Sequence, residues 1–115
     1  MTPRSATSSA SIQSLLADMQ ASVFAARALL TETAAAVDRG EDISARAAAL
    51  RIVSGRASRE TTSAALQICG AYGLTHEMPL ERLYREAKFY EVAQGSVELQ
   101  RVIVGKSVLR AVRRP

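Results

Sequence analysis

Histidine and cysteine, the side chains that most often act as metal ligands or nucleophiles, occur once each in this sequence, as His76 and Cys69. His76 lies in the loop-like segment GLTHEMP without a partner at metal-site spacing, which favours an ordinary loop residue. Cys69 has no neighbouring His or Asn to activate it, which favours a small buried side chain. No Walker motif occurs, and the glycines of GAYGLTHE do not follow a strand. These residue types therefore indicate no catalytic constellation.

Charged side chains alternate in the segment LERLYREAK, which follows that loop. A spacing of three or four residues predicts salt bridges on a helix surface. The expected partners are Glu81, Arg82, Arg85 and Glu86. Glu91 is the carboxylate nearest the next turn, and we interpret it as an exposed residue or a partner of Arg85 or Lys88 rather than as a base.

The composition predicts one domain with a core of small and aliphatic side chains. Hydrophobic residues make up 48% of the 115 residues and aromatic residues only 4%, which fits a single globular domain. A lone cysteine excludes an internal disulfide and is typical of a reducing compartment. No signal-peptide core is found, and no apolar run reaches the roughly 20 residues of a membrane span. We therefore predict a cytoplasmic protein without a membrane partner.

The net charge is +4, and the C-terminal segment RAVRRP contributes Arg110, Arg113 and Arg114 to it. A nucleic-acid-binding domain usually gathers its basic side chains on one face and carries a recognisable motif. This sequence has no such motif, and Arg and Glu alternate in the segment LERLYREAK. We therefore predict no nucleic acid partner.

Periodic apolar positions predict two long helices in the first part of the chain. Residues 11–37 have apolar side chains at steps of three and four, and Gly40 follows the end of this helix. Ser44 is the predicted N-cap of the second helix. Gly55 interrupts that helix at a cost of about 1 kcal/mol, and small residues such as Ala57 would let a neighbouring helix approach closely.

Glycine and proline predict a turn followed by two further helices. Gly70 and Gly73 end the second helix, and Pro79 opens a short one. The pattern leaves residues 88–94 unassigned. Gly95 and Ser96 start the last helix, with Ser96 as its N-cap, and this helix runs to about residue 112.

The predicted fold class is all-α. We expect an antiparallel helical bundle of three long helices plus a short crossover helix. Its domain organisation would be a disordered leader at residues 1–10, the bundle at residues 11–112 and a basic tail at residues 113–115.

The order of the motifs resembles the C-terminal part of the acyl-CoA dehydrogenase family. LQICGAYG is similar to the family turn Gln-x-x-Gly-Gly-x-Gly, PLERLYREA to its Pro-x-Glu-Arg-x-x-Arg-Asp-Ala helix, and QGSVELQR to its Glu-Gly-Thr-x-x-Ile-Gln-Arg segment. IQSLLADMQASVFAARALLTETAAAVDRG resembles the preceding family helix, so the resemblance covers about residues 12–108. It implies the C-terminal helical bundle without its first helix, and without the N-terminal helical and middle β-domains.

The resemblance also implies six residues at a FAD site. They are Gln67, Gly70, Ala71, Gly95, Ser96 and Glu98. In the family, the Gln and glycines of the turn approach the FAD of a neighbouring subunit, and Ala71 replaces the second glycine, so its methyl group changes a close backbone contact. Ser96 matches a Thr at a helix N-terminus, whose free N–H groups suit pyrophosphate. From the residues alone, Gln67 and Gly70 are better explained as a helix end, Ser96 as an ordinary N-cap and Glu98 as a surface residue.

The sequence departs from the family at the catalytic base. Gln94 stands where many members carry the Glu that removes the α-proton of the acyl thioester, and an amide does not accept a proton at neutral pH. Members acting on branched acyl groups place the base on the first bundle helix, and YEVAQGS is similar to their Tyr-Glu-x-x-x-Gly-Thr segment. The resemblance gives that helix no counterpart here. We therefore predict no catalytic residue in this chain and no activity of the chain alone.

A bundle without one helix exposes an apolar groove that a partner has to cover. The sequence is compatible with three different partners for this groove. A larger acyl-CoA dehydrogenase-like subunit would share its FAD site and supply the base, giving an oxidoreductase for a CH–CH bond of an acyl-CoA or acyl-carrier-protein thioester. Self-association would give a non-catalytic structural oligomer, and the basic C-terminus would make an adaptor for an acidic partner. Met1 is compatible with a complete gene product and with an excised domain.

Overall fold

A computed structural model describes residues 9–93 and 95–115 of the chain. These ranges contain α-helices and a 3₁₀ turn but no strand, which confirms the predicted all-α class. The elements are α1 (Ala10–Asp38), α2 (Ser44–Cys69), the 3₁₀ turn (Gly70–Leu74), α3 (Leu80–Val92) and α4 (Val97–Arg113). Residues 1–8 of the predicted leader, and Gln94, lie outside the described residues.

Helix α2 is the centre of the fold, because α1, α3 and α4 all pack on it. No other pair of α-helices in the described ranges has an interface of similar extent. Helix α1 runs antiparallel to α2, with Glu32 opposite Arg46 at 4.0 Å. Helix α3 returns along the C-terminal half of α2. Helix α4 continues along its N-terminal half. Hydrogen bonds from Ser44, and then the nearby Arg110, lower the pKa of the Asp42 carboxyl.

Most helix ends agree with the sequence prediction. Helix α2 ends at Cys69, and Pro79 is the N-cap residue of α3. The predicted cap at Ser96 is confirmed, since its hydroxyl accepts a hydrogen bond from the Leu99 N–H at 3.3 Å. The pattern-ambiguous residues 88–92 are helical and belong to α3.

The predicted N-cap at Ser44 is wrong by one position. Ser44 is the first residue of α2, and Ile43 is the N-cap residue. The carboxylate of Asp42 accepts hydrogen bonds from the Ser44 N–H at 2.9 Å and from the Ser44 hydroxyl at 2.6 Å. Asp42, two residues upstream of Ser44, is therefore the side-chain acceptor at this helix start, and the helix begins one residue earlier than predicted.

Small side chains alone form the buried core. Its fully buried apolar residues in the described ranges are Ala36, Ala48, Ala57 and Ala87. Many large apolar side chains are instead more than a third exposed, including Leu16, Leu30, Leu83, Leu109 and Val112. Close helix packing through alanine gives little apolar burial per residue. The large side chains are therefore left facing outward.

Gly55 gives α3 its close approach to α2. A Cβ atom at this position would lie 3.1 Å from Cγ of Glu91, so the missing side chain makes room for the carboxylate arm. The Glu91 carboxylate accepts a hydrogen bond from Nε of Arg59 at 2.8 Å. The predicted partners of Glu91, Arg85 and Lys88, are therefore wrong. Arg59 lies one helix away and becomes its neighbour only when α3 folds back onto α2.

Four charged residues surround the turn between α1 and α2. Arg39 bonds Glu32 at 3.0 Å and Glu41 at 2.6 Å, and Arg46 bonds Glu41 at 2.7 Å. Hydrogen bonds from Arg39, and then from Arg46, lower the pKa of Glu41 from 4.5 to about 2. The pairs are exposed, so their effect on stability is modest and salt-dependent.

The depressed pKa of Glu41 predicts a pH dependence of stability. The contribution of its carboxylate is fully present above pH 4.5, the pKa of the unfolded chain, and is lost as the pH falls towards about 2. Thermal unfolding followed by circular dichroism should therefore show Glu41→Gln melting below the wild type at pH 7, with the two midpoints converging near pH 2. Glu77→Gln removes an exposed carboxylate that has no ion pair and serves as the control. A gap between wild type and Glu41→Gln that persists at pH 2 would contradict the assignment.

None of the helices in the described ranges combines the length and the hydropathy that crossing a bilayer requires.

Candidate functional site

The first group of expected cofactor residues, Gln67, Gly70 and Ala71, forms what we call the turn cluster. All three are exposed where α2 passes into the 3₁₀ turn. Gly70 has φ 62° and ψ −148°, a conformation open almost only to glycine. Its N–H donates to the Leu66 carbonyl, and a Cβ atom there would meet nothing within 4 Å. A ligand can therefore reach this backbone.

An open depression of 370 Å³ adjoins the turn cluster. Its lining comes from the end of α2, the 3₁₀ turn and α3, and comprises Ser63, Leu66, Gln67, Gly70, Leu74 and Tyr84. Leu74 is 66% exposed, so the depression combines an apolar side chain with the Gln67 amide. This combination suits a flat ligand that stacks on apolar side chains and hydrogen-bonds at its edge.

The second group, Gly95, Ser96 and Glu98, forms the cap cluster at the start of α4. Gly95 has φ 98°, and a Cβ atom there would lie 3.0 Å from Nε2 of Gln100, so this position requires glycine. Ser96 caps the Leu99 N–H. The N–H groups of the two preceding helical residues have no intrahelical acceptor. The cap cluster thus offers a hydroxyl, free N–H donors and the positive end of a helix dipole.

Arg51 holds the cap cluster against α2. Its Nη2 donates to the carbonyl of Gly95 at 3.1 Å and to the carbonyl of Ala93. The sequence analysis missed this residue. A signal existed, because Arg51 interrupts the apolar run ALRIV, and a cation within an apolar helix segment usually has a specific partner. The partners are 42 and 44 residues away, so the signal could show a need for a partner but not its identity.

The structure does not bring the two clusters together. Arg51 marks the position of the cap cluster on α2, and Gln67 lies 16 residues further along the same helix. At a rise of about 1.5 Å per residue, these positions are about 24 Å apart. A ligand that contacted both clusters of one chain would have to span about 24 Å.

The remaining candidate residues have structural roles. Glu81 pairs with Arg85 at 3.0 Å and Glu86 with Arg82 at 3.6 Å, as predicted. His76 is highly exposed and lies 3.3 Å from Glu81. The described part of the chain holds no group of three or more metal-ligating side chains.

The expected site of the catalytic base contributes no free carboxylate in the described ranges. Gln94, at the position of the family base, lies outside those ranges. The nearby Glu91 side chain is only 12% exposed and is paired with Arg59. A carboxylate held by a guanidinium at 2.8 Å is poorly placed to accept a substrate proton.

A mainly apolar groove of 380 Å³ runs between α1, α2 and α3. It is lined by Val23, Ala26, Arg27, Ser54, Ala57, Ser58, Thr61, Thr62, Leu83, Glu86, Ala87 and Tyr90. Among the described residues, the buried hydroxyl of Thr61 has no hydrogen-bond partner, which is costly inside a protein. The apolar groove expected of an incomplete bundle is therefore present, with an unsatisfied polar atom on its wall.

Comparison with known proteins defines the family of this chain. The family model "Acyl-CoA dehydrogenase, C-terminal domain" matches residues 3–109. This chain belongs to the acyl-CoA dehydrogenase family. The match confirms the resemblance inferred from the turn and cap motifs, and it accounts for almost the whole chain.

Related proteins share this acyl-CoA dehydrogenase domain at moderate identity. The acryloyl-CoA reductase (NADH) of Anaerotignum propionicum is 36% identical over 99 residues, which is 86% of this chain and 25% of that protein. The mitochondrial short-chain specific acyl-CoA dehydrogenase of Bos taurus is 35% identical over 102 residues, 89% of this chain and 25% of that protein. The chain thus spans about a quarter of the length of these relatives.

A solved acyl-CoA dehydrogenase also shares the fold. The butyryl-CoA dehydrogenase of Megasphaera elsdenii superposes with a TM-score of 0.88 at 33% identity, covering 90% of this chain and 27% of the other. The arrangement of α1 to α4 is therefore that of a C-terminal dehydrogenase domain.

The anchoring role of Arg51 predicts a loss of stability in Arg51→Met. Methionine keeps the apolar stem but leaves two partly buried carbonyls unpaired, so the free energy of unfolding should fall by about 1–3 kcal/mol. Arg56→Met, one turn further along α2, removes an exposed cation without an ion pair and should change it by less than about 0.5 kcal/mol. Urea unfolding of both variants measures the difference. Equal losses would contradict the anchoring role.

Proposed function

We propose that this chain acts as the C-terminal helical part of a flavin-dependent acyl-CoA or acyl-carrier-protein dehydrogenase and is inactive alone. A larger dehydrogenase-like subunit would complete its helical bundle and FAD site. The observation that carries the proposal is the apolar groove between α1, α2 and α3 in a chain that matches the family's C-terminal domain. The reaction would be oxidation of a CH–CH bond next to a thioester.

The groove has the chemistry of a helix-binding site. Small side chains such as Ala26 and Ala57 leave space at its floor, and Leu83 and Tyr90 provide apolar walls. A partner helix with apolar residues at helical spacing would bury these walls.

The residues of the cap cluster fit the nucleotide part of FAD. Ser96 and the free N–H groups that follow it supply neutral donors for phosphate, and Gly95 keeps the approach free of a side chain. Glu98 is exposed beside them and offers an acceptor for hydroxyl groups of a ribose or ribityl chain. FAD, when bound, accepts the hydride removed from the substrate.

The turn cluster fits a contact with a second flavin. Gln67 provides an amide, Gly70 an open backbone, and Ala71 adds one methyl group where the family has a second glycine. The separation of about 24 Å from the cap cluster agrees with the family arrangement, in which the turn approaches the FAD of a neighbouring subunit. The substrate pocket and the base would then come from the larger subunit.

The proposal predicts that blocking the groove prevents complex formation. Ser58 lines the groove and is exposed, so Ser58→Trp should fill the groove without disturbing the core. Arg56→Trp adds the same bulk on α2 outside the groove and is the matched control. The chain would be co-purified with a dehydrogenase-like subunit encoded beside it. Bound flavin would be read from its absorbance and activity from oxidation of butyryl-CoA.

We expect a yellow, active complex with the wild type and Arg56→Trp, and none with Ser58→Trp. The wild-type chain alone should bind no flavin and oxidise no thioester. A colourless homodimer that does not bind the larger subunit would support the alternative, a non-catalytic helical oligomer. Oxidation of butyryl-CoA by the chain and FAD alone would contradict inactivity in isolation.

A further inference from the structure

The positive charge of the protein is concentrated in its last helix. Residues 97–115 carry one carboxylate, Glu98, and five cations, Arg101, Lys106, Arg110, Arg113 and Arg114. Since the whole sequence has 15 cations and 11 carboxylates, the other 96 residues carry ten of each and are neutral. None of the five cations belongs to an ion pair in the described ranges. Apart from Arg110, which lies near Asp42, these cations are available to a partner.

Helix α4 also has a second apolar side that faces away from α2. The half-buried side contains Gln100, Ile103, Val104 and Ser107. The opposite side carries Val102, Gly105, Leu109 and Val112, at steps of three, four and three residues. We call these four residues the outer seam. The exposed fractions of Val102, Leu109 and Val112 are 50%, 56% and 76%.

The outer seam has the spacing of a coiled-coil contact. Steps of three and four residues keep apolar side chains on one line facing a partner helix. Gly105 has nothing within 4 Å of its Cβ position, so a partner backbone can approach closely there. Arg101, Lys106 and Arg113 occupy the positions that flank such a seam. In coiled coils, residues at those positions decide the choice of partner.

We propose that the outer seam binds an amphipathic helix of a partner protein that carries acidic residues beside its own apolar seam. Two copies of α4 would place cations of the same sign opposite each other, which disfavours self-association through this face. The seam contains valine and leucine but no aromatic residue of the kind enriched in membrane-surface helices. Helix α4 contributes no residue to the groove, and the outer seam contains no residue of the cap cluster.

Two synthetic amphipathic peptides test this proposal on the full chain. Both have leucine at heptad seam positions, and one has glutamate and the other lysine at the flanking positions. Fluorescence anisotropy of labelled peptides at low salt should show the acidic peptide binding at least about tenfold more tightly than the basic one. Its affinity should fall as salt is added, because exposed charges are screened.

Substitutions on α4 locate the binding face. Leu109→Gln should weaken binding of the acidic peptide about tenfold, because it removes a central seam residue. Leu99→Gln makes the same chemical change at a similarly exposed position, about 90° around the helix, and should leave binding unchanged. Both side chains are exposed, and circular dichroism would verify that both variants stay helical. The pair Lys106→Glu and Arg113→Glu should reverse the preference towards the basic peptide.

Three outcomes would overturn the proposal. One is equal binding of the acidic and basic peptides. Another is an equal effect of Leu109→Gln and Leu99→Gln. The third is binding to vesicles of phosphatidylserine and phosphatidylcholine without binding to the acidic peptide. None of these measurements involves flavin or the groove, so their result is independent of the dehydrogenase proposal.

Discussion

Close packing of small side chains along α2 is the constraint on which the rest of this structure depends. Alanine and glycine let α1, α3 and α4 approach the central helix, and Gly55 admits the arm of Glu91. The same packing limits what the chain can bury, because an alanine contact removes little apolar surface from water. The large side chains therefore remain on outer faces, where they are available to other surfaces.

The proposed function depends on these exposed apolar side chains. In the proposed function, a further helix packs into the groove between α1, α2 and α3, and the chain spans about a quarter of its relatives' length. The turn cluster adjoins the C-terminal end of α2 and the cap cluster packs near Arg51, so we propose that each contributes part of a cofactor site. A larger subunit would supply both the apolar surface and the missing catalytic base. The outer seam of α4 adds a second contact with different chemistry.

The sequence predicted the features that depend on nearby residues. The apolar period and the glycine and proline positions predicted the four helices and their order, and the cap at Ser96 needed only its own first turn. Ser44 failed as a cap because Asp42, also local, accepts hydrogen bonds from the Ser44 N–H and hydroxyl, so the helix begins one residue earlier. The family motifs predicted both clusters as candidates. Their roles stay predictions until a ligand is measured.

Contacts between helices that are distant in the sequence could not be predicted. Arg59 is the partner of Glu91, and Arg51 binds carbonyls more than 40 residues away. Periodicity identifies which face of a helix is apolar, but it does not identify the residue of another helix that meets it. The distance between the turn and cap clusters likewise follows from where α3 ends on α2. That position is set by tertiary contacts.

Amide hydrogen exchange tests most directly whether the groove binds a helix of another chain. The measurement compares residues 54–62 of α2 and residues 83–90 of α3 in the isolated chain and in its complex with a larger dehydrogenase-like subunit. The account predicts slower exchange of both segments in the complex than in the isolated chain. A monomer with full protection of both segments, unchanged by the larger subunit, would contradict it.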